Sequence, residues 1–386
     1  MDDVMNFLPA CFFVFYIIGC WKSKNYTTSI SICFYWLRTI IVIFLLFTFT
    51  VSSLLGVAMS KKNIQEMSND CFLPFAVLGS FCKSLNIVGS HDTITYIIQT
   101  FMNDPCLPRN SKEILIQKKF DKFIWRYTVA YGVLTETTAI GLTIGTLWLD
   151  LGPGVLPFPA WLPFKHEDGF WYCFAYFYQL LAGINAATFA IGYDTLIPSL
   201  MIQIVSKFKI LQHRFENFYA INKTDNKYDN ILKNEKAFIS ECVKFHKILF
   251  KLSKMINTTF EFVIFMQCSL SVCLICVTVL NIDNYQTFSQ EWTAAILYLS
   301  CMLSQIFILC AAGNEVTFIS GQLGEAVYSM NWTYLDTSTI KSLIIIMNCT
   351  SHPIVFKSKN IVILSLDSFK SLIKISYSTY NVLHRT

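Results

Sequence analysis

The chain has 386 residues, of which 54% are hydrophobic and only 14% charged, with a formal net charge of +5. Together with a mean hydropathy of +0.48, this excludes a soluble globular protein of ordinary composition and points to a polytopic membrane protein.

A bilayer core about 30 Å thick needs roughly 20 residues of helix. The first apolar run, residues 7–20, falls short of that and contains Pro9. Asp2 and Asp3 precede it where a signal peptide would carry positive charge. Trp21, Lys22 and Lys24 end it with side chains suited to the interface. Residues 1–36 therefore read as a cytoplasmic N-terminal portion with a re-entrant or interfacial segment. Six spans are expected within residues 37–312. Runs 39–59, 262–282 and 292–313 are clean, whereas 72–98 holds Lys83, 127–149 holds Glu136 and 170–205 holds Asp194. Residues 340–386 read as a split seventh span. Its arms, 342–355 and 361–383, are separated by Pro353, Lys357 and Lys359, which predicts a helical hairpin whose second arm, within 361–386, crosses the membrane.

Orientation follows from where the basic residues fall, because cytoplasmic loops retain Lys and Arg. Twenty-one of the 30 lie on one alternating set of segments: the N-terminus (Lys22, Lys24, Arg38), the second loop from Arg109 to Arg126, the fourth loop from Lys207 to Lys254, and Lys341. The opposite set holds Lys61, Lys62, Lys165 and Arg385. The expected fold is therefore an all-α membrane protein of seven helices with a cytoplasmic N-terminus and an extracellular C-terminus.

The fourth loop is itself patterned. Ile204, Phe208, Leu211, Phe215 and Phe218 recur at steps of four and three, as do Phe238, Cys242, Phe245, Leu249, Leu252 and Ile256. The fourth and fifth spans thus continue as amphipathic helices over about 206–256, with Lys and Glu on the remaining faces. The stripes bury in an intramolecular hairpin, in a subunit contact, which their coiled-coil-like length favours, or in both. The outer loop 150–168 carries Pro153, Pro157, Pro159 and Pro163 with Phe158 and Trp161. Proline lowers loop entropy, so this loop is expected to be ordered and to cap a pocket opening outward.

Walker, HExxH, GxSxG and CxxC motifs are missing, so no enzyme, cofactor or metal site is expected, nor a nucleic-acid partner. His91 beside Asp92 reads as structural. Most of the 14 cysteines fall in apolar spans, where they pack as small hydrophobes; a bridge between Cys71 and Cys173 is left open. The sequons at Asn25, Asn222, Asn257, Asn331 and Asn348 fall on the cytoplasmic side or in the membrane and are expected to be unused. Lys83 and Glu136 are the simplest intramembrane pair. Phe81, Thr137, Gly141, Ile144, Trp148, Tyr176, Gln179, Ile184, Tyr298 and Met302, in the outward halves of spans two to six, are candidates to line an apolar cavity for a small molecule. For any one of them taken singly, interhelical packing or lipid-facing surface is the favoured account.

In the last helix Ser365 is an N-cap with Asp367 in the first turn. Ser371, Lys374, Ser378, Asn381 and Arg385 form one polar stripe, which in lipid must face protein or water. Four copies around an axis would enclose a pore; packing against its own bundle is the alternative.

Residues 365–383, SLDSFKSLIKISYSTYNVL, are similar to the final-helix motif of insect odorant receptors, and residues 194–218 resemble that family's fourth-helix extension. Gly313, Asn314 and Glu315, with Ala326, Val327, Tyr328 and Trp332, match more loosely. The resemblance covers essentially the whole chain. It implies a variable, odorant-binding subunit that forms a heterotetramer with the odorant receptor co-receptor, an odorant-gated non-selective cation channel in the plasma membrane of olfactory neuron dendrites. It gives the cavity residues the role of contacts to a small volatile organic ligand, with Trp148 and Tyr298 foremost. It places the pore and gate at Ser378, Asn381, Val382, Arg385 and Thr386, with the hydrophobic gate on Val382. Arg385 departs from the neutral residue expected at the outer mouth. A gustatory receptor subunit is the nearest alternative, but only Thr379-Tyr380 of its usual ending is present. A G-protein-coupled chemoreceptor would need an outside N-terminus and has neither DRY nor NPxxY here. A transporter would predict inverted symmetry.

Overall fold

The computed structural model describes residues 7–22, 28–59, 64–149, 156, 158–164, 169–217, 228–330, 332, 335–359 and 361–385; for 64–72, 142–149, 228–234 and 383–385 it describes the backbone alone. In chain order the elements are α1 (Pro9–Ile18), α2 (Ser29–Met59), α3 (Ile64–Gly89), α4 (His91–Phe101), α5 (Ser111–Leu149), α6 (Phe170–Glu216), α7 (Tyr228–Asn284), α8 (Gln290–Tyr328), α9 (Thr337–Thr350), the strands β1 (Lys357–Ser358) and β2 (Val362–Ile363), and α10 (Leu366–Arg385).

Among the described residues four helices are long and apolar enough to cross a bilayer: α2, α6, α7 from Glu235 onward, and α8. A fifth candidate span is a bent pair, Leu73–Gly89 and His91–Phe101, which meet at 67°. The uninterrupted second span expected over 72–98 is therefore corrected to two helices. Gly89 ends the first, and Asp92 supplies negative charge to the first turn of the second. α5, with 39 residues, and α10, with 20, are long enough to cross but more polar.

α6 is the central helix, packed against α8, α5, α1, α7 and α3. Every residue from 191 to 208 is buried, so no face of this stretch meets solvent. That corrects the expectation of solvated Lys faces at its end: Lys207 is 2% and Arg214 6% exposed. Lys207 donates to Gln117 Oε1 at 2.8 Å. Arg214 forms a two-point pair with Glu113, Nε to Oε1 at 3.1 Å and Nη2 to Oε2 at 3.0 Å. The same guanidinium donates to the carbonyls of Pro105 and Leu107 and lies over the Phe245 ring. The turn between α4 and α5 is thereby fixed to α6 and α7. Within that turn burial pushes the Cys106 thiol up to about 11, and a hydrogen bond to Glu241 raises the Arg109 guanidinium further.

The two amphipathic stripes bury against each other within the chain. Ile204, Phe208, Leu211 and Phe215 on α6, and Cys242, Phe245, Leu249, Leu252 and Ile256 on α7, are buried, and the Phe215 and Phe238 rings meet edge to face at 6.1 Å. Phe218 lies outside the described residues. The intramolecular hairpin open to the sequence is formed.

The N-terminal segment packs inside the bundle. Leu8, Cys11, Phe12 and Phe15 of α1 are buried against α6, with Phe15 edge-on to Phe189 at 5.5 Å. Gly192 makes the room, since a Cβ there would lie 3.0 Å from the Phe15 ring and 3.1 Å from Val14.

The segment after α8 is clasped to α8 and α7. Both arms of the expected hairpin are helical, α9 and α10, but the second begins at Leu366 because the connection is a two-stranded antiparallel turn. Lys357 N–H donates to Asn257 Oδ1, Lys359 N–H to Glu261 Oε1, and Ser358 Oγ to the Glu261 carbonyl, so the side of α7 holds the turn that joins the arms. Ser365 caps α10 as expected, accepting from Ser368 N–H at 3.1 Å. α10 turns Phe369, Leu372, Ser376 and Tyr380 inward, onto α7 and α8.

Candidate ligand cavity

At the end of the bundle opposite the α6–α7 extension, α3, α5, α6, α7 and α8 surround a cavity of about 230 Å³. Its origin is a run of small side chains. Gly183, Ala186, Ala187 and Ala190 follow one face of α6 at steps of three, one and three, so that this wall stands back from its neighbours. The volume lies between the ~150 Å³ of a cavity that holds benzene and the ~300 Å³ lower bound of drug-sized sites. The lining is mostly apolar, with a few polar groups.

Those polar groups centre on Asp194. Its Oδ1 accepts from Lys83 Nζ at 2.6 Å, and its Oδ2 accepts from Gln305 Nε2 at 2.7 Å and Tyr131 OH at 3.2 Å. Lys83 is 5% and Asp194 7% exposed. The expected Lys83–Glu136 pair is thus corrected. α3 has α7, α2 and α6 as its main neighbours while α5 packs on α6 and α8, so the acid that Lys83 reaches is on α6. Glu136 accepts from Thr188 at 3.2 Å instead.

The loop before α6 caps the cavity. Phe158 lines it and packs on Gly183. Gln179 holds both backbone polar groups of Phe158: its Oε1 accepts from the N–H at 3.0 Å and its Nε2 donates to the carbonyl at 3.1 Å. Trp161 N–H donates to the Ser52 carbonyl at 2.9 Å, and Ser52 Oγ donates to the Trp161 carbonyl. Gln179→Leu removes two hydrogen bonds, each worth about 1 kcal/mol, and leaves the Phe158 backbone unsatisfied. Hydrogen exchange across 158–164 is expected to accelerate by about tenfold. An unchanged exchange rate would remove Gln179 from the role of cap holder.

Of the ten residues nominated for this region, Ile184, Tyr298 and Met302 line the cavity. Gln179 acts one step back, through the cap. Phe81 packs on Phe47 with ring centroids 5.6 Å apart, on the α2 side of α3. Thr137 is exposed and bonds its own helix at Val133 O, while its neighbour Thr138 lines the cavity. Nothing lies within 4 Å of a Cβ built on Gly141, and Tyr176 packs beside Tyr172 outside the cavity. The side chains of Ile144 and Trp148 lie outside the described residues. Sequence reading passed over Ser271 and Gln267 on α7 and Gln305 on α8, all cavity-lining. The 183/186/187/190 spacing was the available signal.

At the other proposed site, Ser378 and Val382 are exposed and Asn381 half-buried on the uncovered side of α10; the Arg385 side chain and Thr386 lie outside the described residues. Cys173 is a free, exposed thiol, and the Cys71 side chain is likewise outside them.

The comparisons are consistent. The family model described as 7tm Odorant receptor matches residues 63–377. Odorant receptor Or1 of Anopheles gambiae is 29% identical over 248 residues, 59% of this chain and 60% of that protein, so the chain aligns with less than two thirds of that relative. Odorant receptor 46a, isoform A, of Drosophila melanogaster is 24% identical over 89% of both chains. The solved structure of the insect olfactory receptor OR5 from Machilis hrabei superposes with a TM-score of 0.86 over 99% of each chain at 16% identity, and the same receptor in complex with eugenol with 0.85 at 17%.

Proposed function

The chain belongs to the seven-transmembrane odorant receptor family, a family of multi-pass membrane receptors and not of enzymes, and from that premise we propose that the 230 Å³ cavity receives a small volatile organic molecule. The observation that carries this reading is an apolar chamber walled by five helices, closed by a pinned loop and furnished with few polar groups, the form small-molecule sites take. The complex of Machilis OR5 with eugenol supports it by analogy of fold. The cavity residues within reach of such a ligand are Ile184, Tyr298 and Met302, with Thr138 in place of Thr137.

In this reading seven helices cross the membrane: α2, the bent α3–α4 pair, α5, α6, α7, α8 and α10. The N-terminus is cytoplasmic and the C-terminus extracellular, as the distribution of Lys and Arg favours. The cavity then opens toward the outside and the α6–α7 extension lies in the cytoplasm. The uncovered side of α10, carrying Ser371, Lys374, Ser378 and Val382, faces the axis of a heterotetramer with the odorant receptor co-receptor. Ligand binding favours an open arrangement and hydrates the constriction at Val382, admitting cations. The assembly works in the plasma membrane of olfactory neuron dendrites.

The test is whole-cell recording from cells expressing the chain with and without the co-receptor during an odorant panel. Inward current that needs both subunits and persists when G-protein signalling is blocked is the expected result. Val382→Ala is expected to raise basal leak several-fold. Currents unchanged by that substitution would move the gate elsewhere.

A further inference from the structure

Two donors on the cavity wall have hydrogen-bonding capacity to spare. Asp194 has both oxygens engaged, by Lys83, Gln305 and Tyr131, and Glu136 accepts from Thr188. The donors are less fully used. Lys83 has three N–H donors and one hydrogen bond, its other close contact being the face of Tyr193 at 5.9 Å. Ser271 on α7 is 1% exposed and lines the cavity, yet its hydroxyl has no hydrogen-bond partner. A buried polar group without a partner is destabilising, and a native chain that keeps one calls for an explanation.

The two donors are close in register. Gly79 faces Leu270 at 3.7 Å, and Asn86 donates to the Thr259 carbonyl at 3.0 Å. α3 and α7 therefore run antiparallel, which puts Lys83 and Ser271 on the same cavity within about two helical turns of each other.

Charge narrows the class of ligand. The cavity holds one ammonium against two carboxylates, so an acid would bring a third negative charge into an apolar chamber, at high cost. A protonated amine would have to shed its water, sit in one chamber with the Lys83 ammonium, and compete for an Asp194 that three donors already satisfy or for a Glu136 that Thr188 engages. A neutral acceptor meets neither obstacle.

We propose that the site selects neutral carbonyl compounds, ketones or esters, whose oxygen accepts from Ser271, with Lys83 the second donor on the same cavity, while the alkyl chain fills the space beside Ala186, Ala187 and Ala190. This rests on the reading of the cavity as the odorant site.

The test uses the purified full-length chain and ligand-induced thermal stabilisation with 2-heptanone, methyl hexanoate, heptane, heptylamine and hexanoate. The two carbonyl compounds are expected to bind about tenfold more tightly than the other three, the ratio one or two neutral hydrogen bonds provide. Ser271→Ala removes an unsatisfied group and so keeps the fold; it is expected to weaken 2-heptanone about five- to tenfold and leave heptane unchanged. Ala187→Trp fills the chamber and is expected to abolish binding of every probe. Binding that survives Ala187→Trp sinks the cavity reading and the inference together. Loss in Ala187→Trp combined with no carbonyl preference, with a preference for heptylamine, or with a Ser271→Ala protein that still prefers 2-heptanone overturns the inference alone. Failure of both carbonyl probes to bind overturns it as well.

Discussion

Arg214→Ala is expected to abolish recovery of folded protein. The substitution strips a carboxylate that is 1% exposed, Glu113, of its bidentate partner, and leaves the carbonyls of Pro105 and Leu107 without their donors. Breaking a buried ion pair from one side costs about 3–5 kcal/mol, against a total stability of roughly 5–15 kcal/mol for a typical fold. Arg214→Lys is expected to rescue little, because a point charge cannot replace a planar fork engaged on two oxygens and two carbonyls. The measurement is size-exclusion of a fluorescently tagged receptor after detergent extraction. A monodisperse Arg214→Ala peak with an unshifted melting curve would show that the turn between α4 and α5 is held by something else.

The second large effect concerns Asp194. Asp194→Leu leaves the Lys83 ammonium buried without its counter-charge, again a loss of about 3–5 kcal/mol, and frees the donors of Gln305 and Tyr131 as well. The paired change Lys83→Met with Asp194→Leu removes both charges. Replacing a buried ion pair by apolar side chains of similar volume is often neutral, so the double variant is expected to regain most of the lost melting temperature. If the double variant is no more stable than the single one, the pair is not the unit that matters, and Gln305 and Tyr131 need separate substitution.

Much of the fold could be read from the sequence because hydropathy and helical stepping are local properties. The runs that become α2, α7 and α8 stand out by length, and the stripes at 204–215 and 238–256 already state which faces meet. What escaped reading was set by partners distant in sequence. Lys83 and Asp194 are 111 residues apart, and nothing local distinguishes that pairing from Lys83 with Glu136. Arg214 sits among Leu211 and Phe215 in a helix end that looks amphipathic, yet it is buried along with Lys207 and Gln212, and of 207–216 only Glu216 is exposed. Its polar residues are therefore internal fasteners and not a solvated face. The bend at Ser90 was marked locally by Gly89, Ser90 and Asp92 but was read through because apolar residues lie on both sides of it, and the β-turn at 357–363 depends on backbone donors finding side chains of α7. In the cavity, Thr137 and Thr138 differ by 100° around a helix, a distinction that needs the neighbouring helices in place.

One close approach ties the chamber to the root of the last helix. Gly313 on α8 lies so near Leu364 that a Cβ there would stand 2.7 Å from the Leu364 carbonyl oxygen. Gln305, which holds Asp194 on the cavity wall, is on the same unbroken helix eight residues earlier, about 12 Å along the axis. A single stiff rod thus touches the chamber at one point and the root of α10 at another. Under the proposed function, any tilt that a ligand imposes on the first is delivered to the second with no slack loop to absorb it.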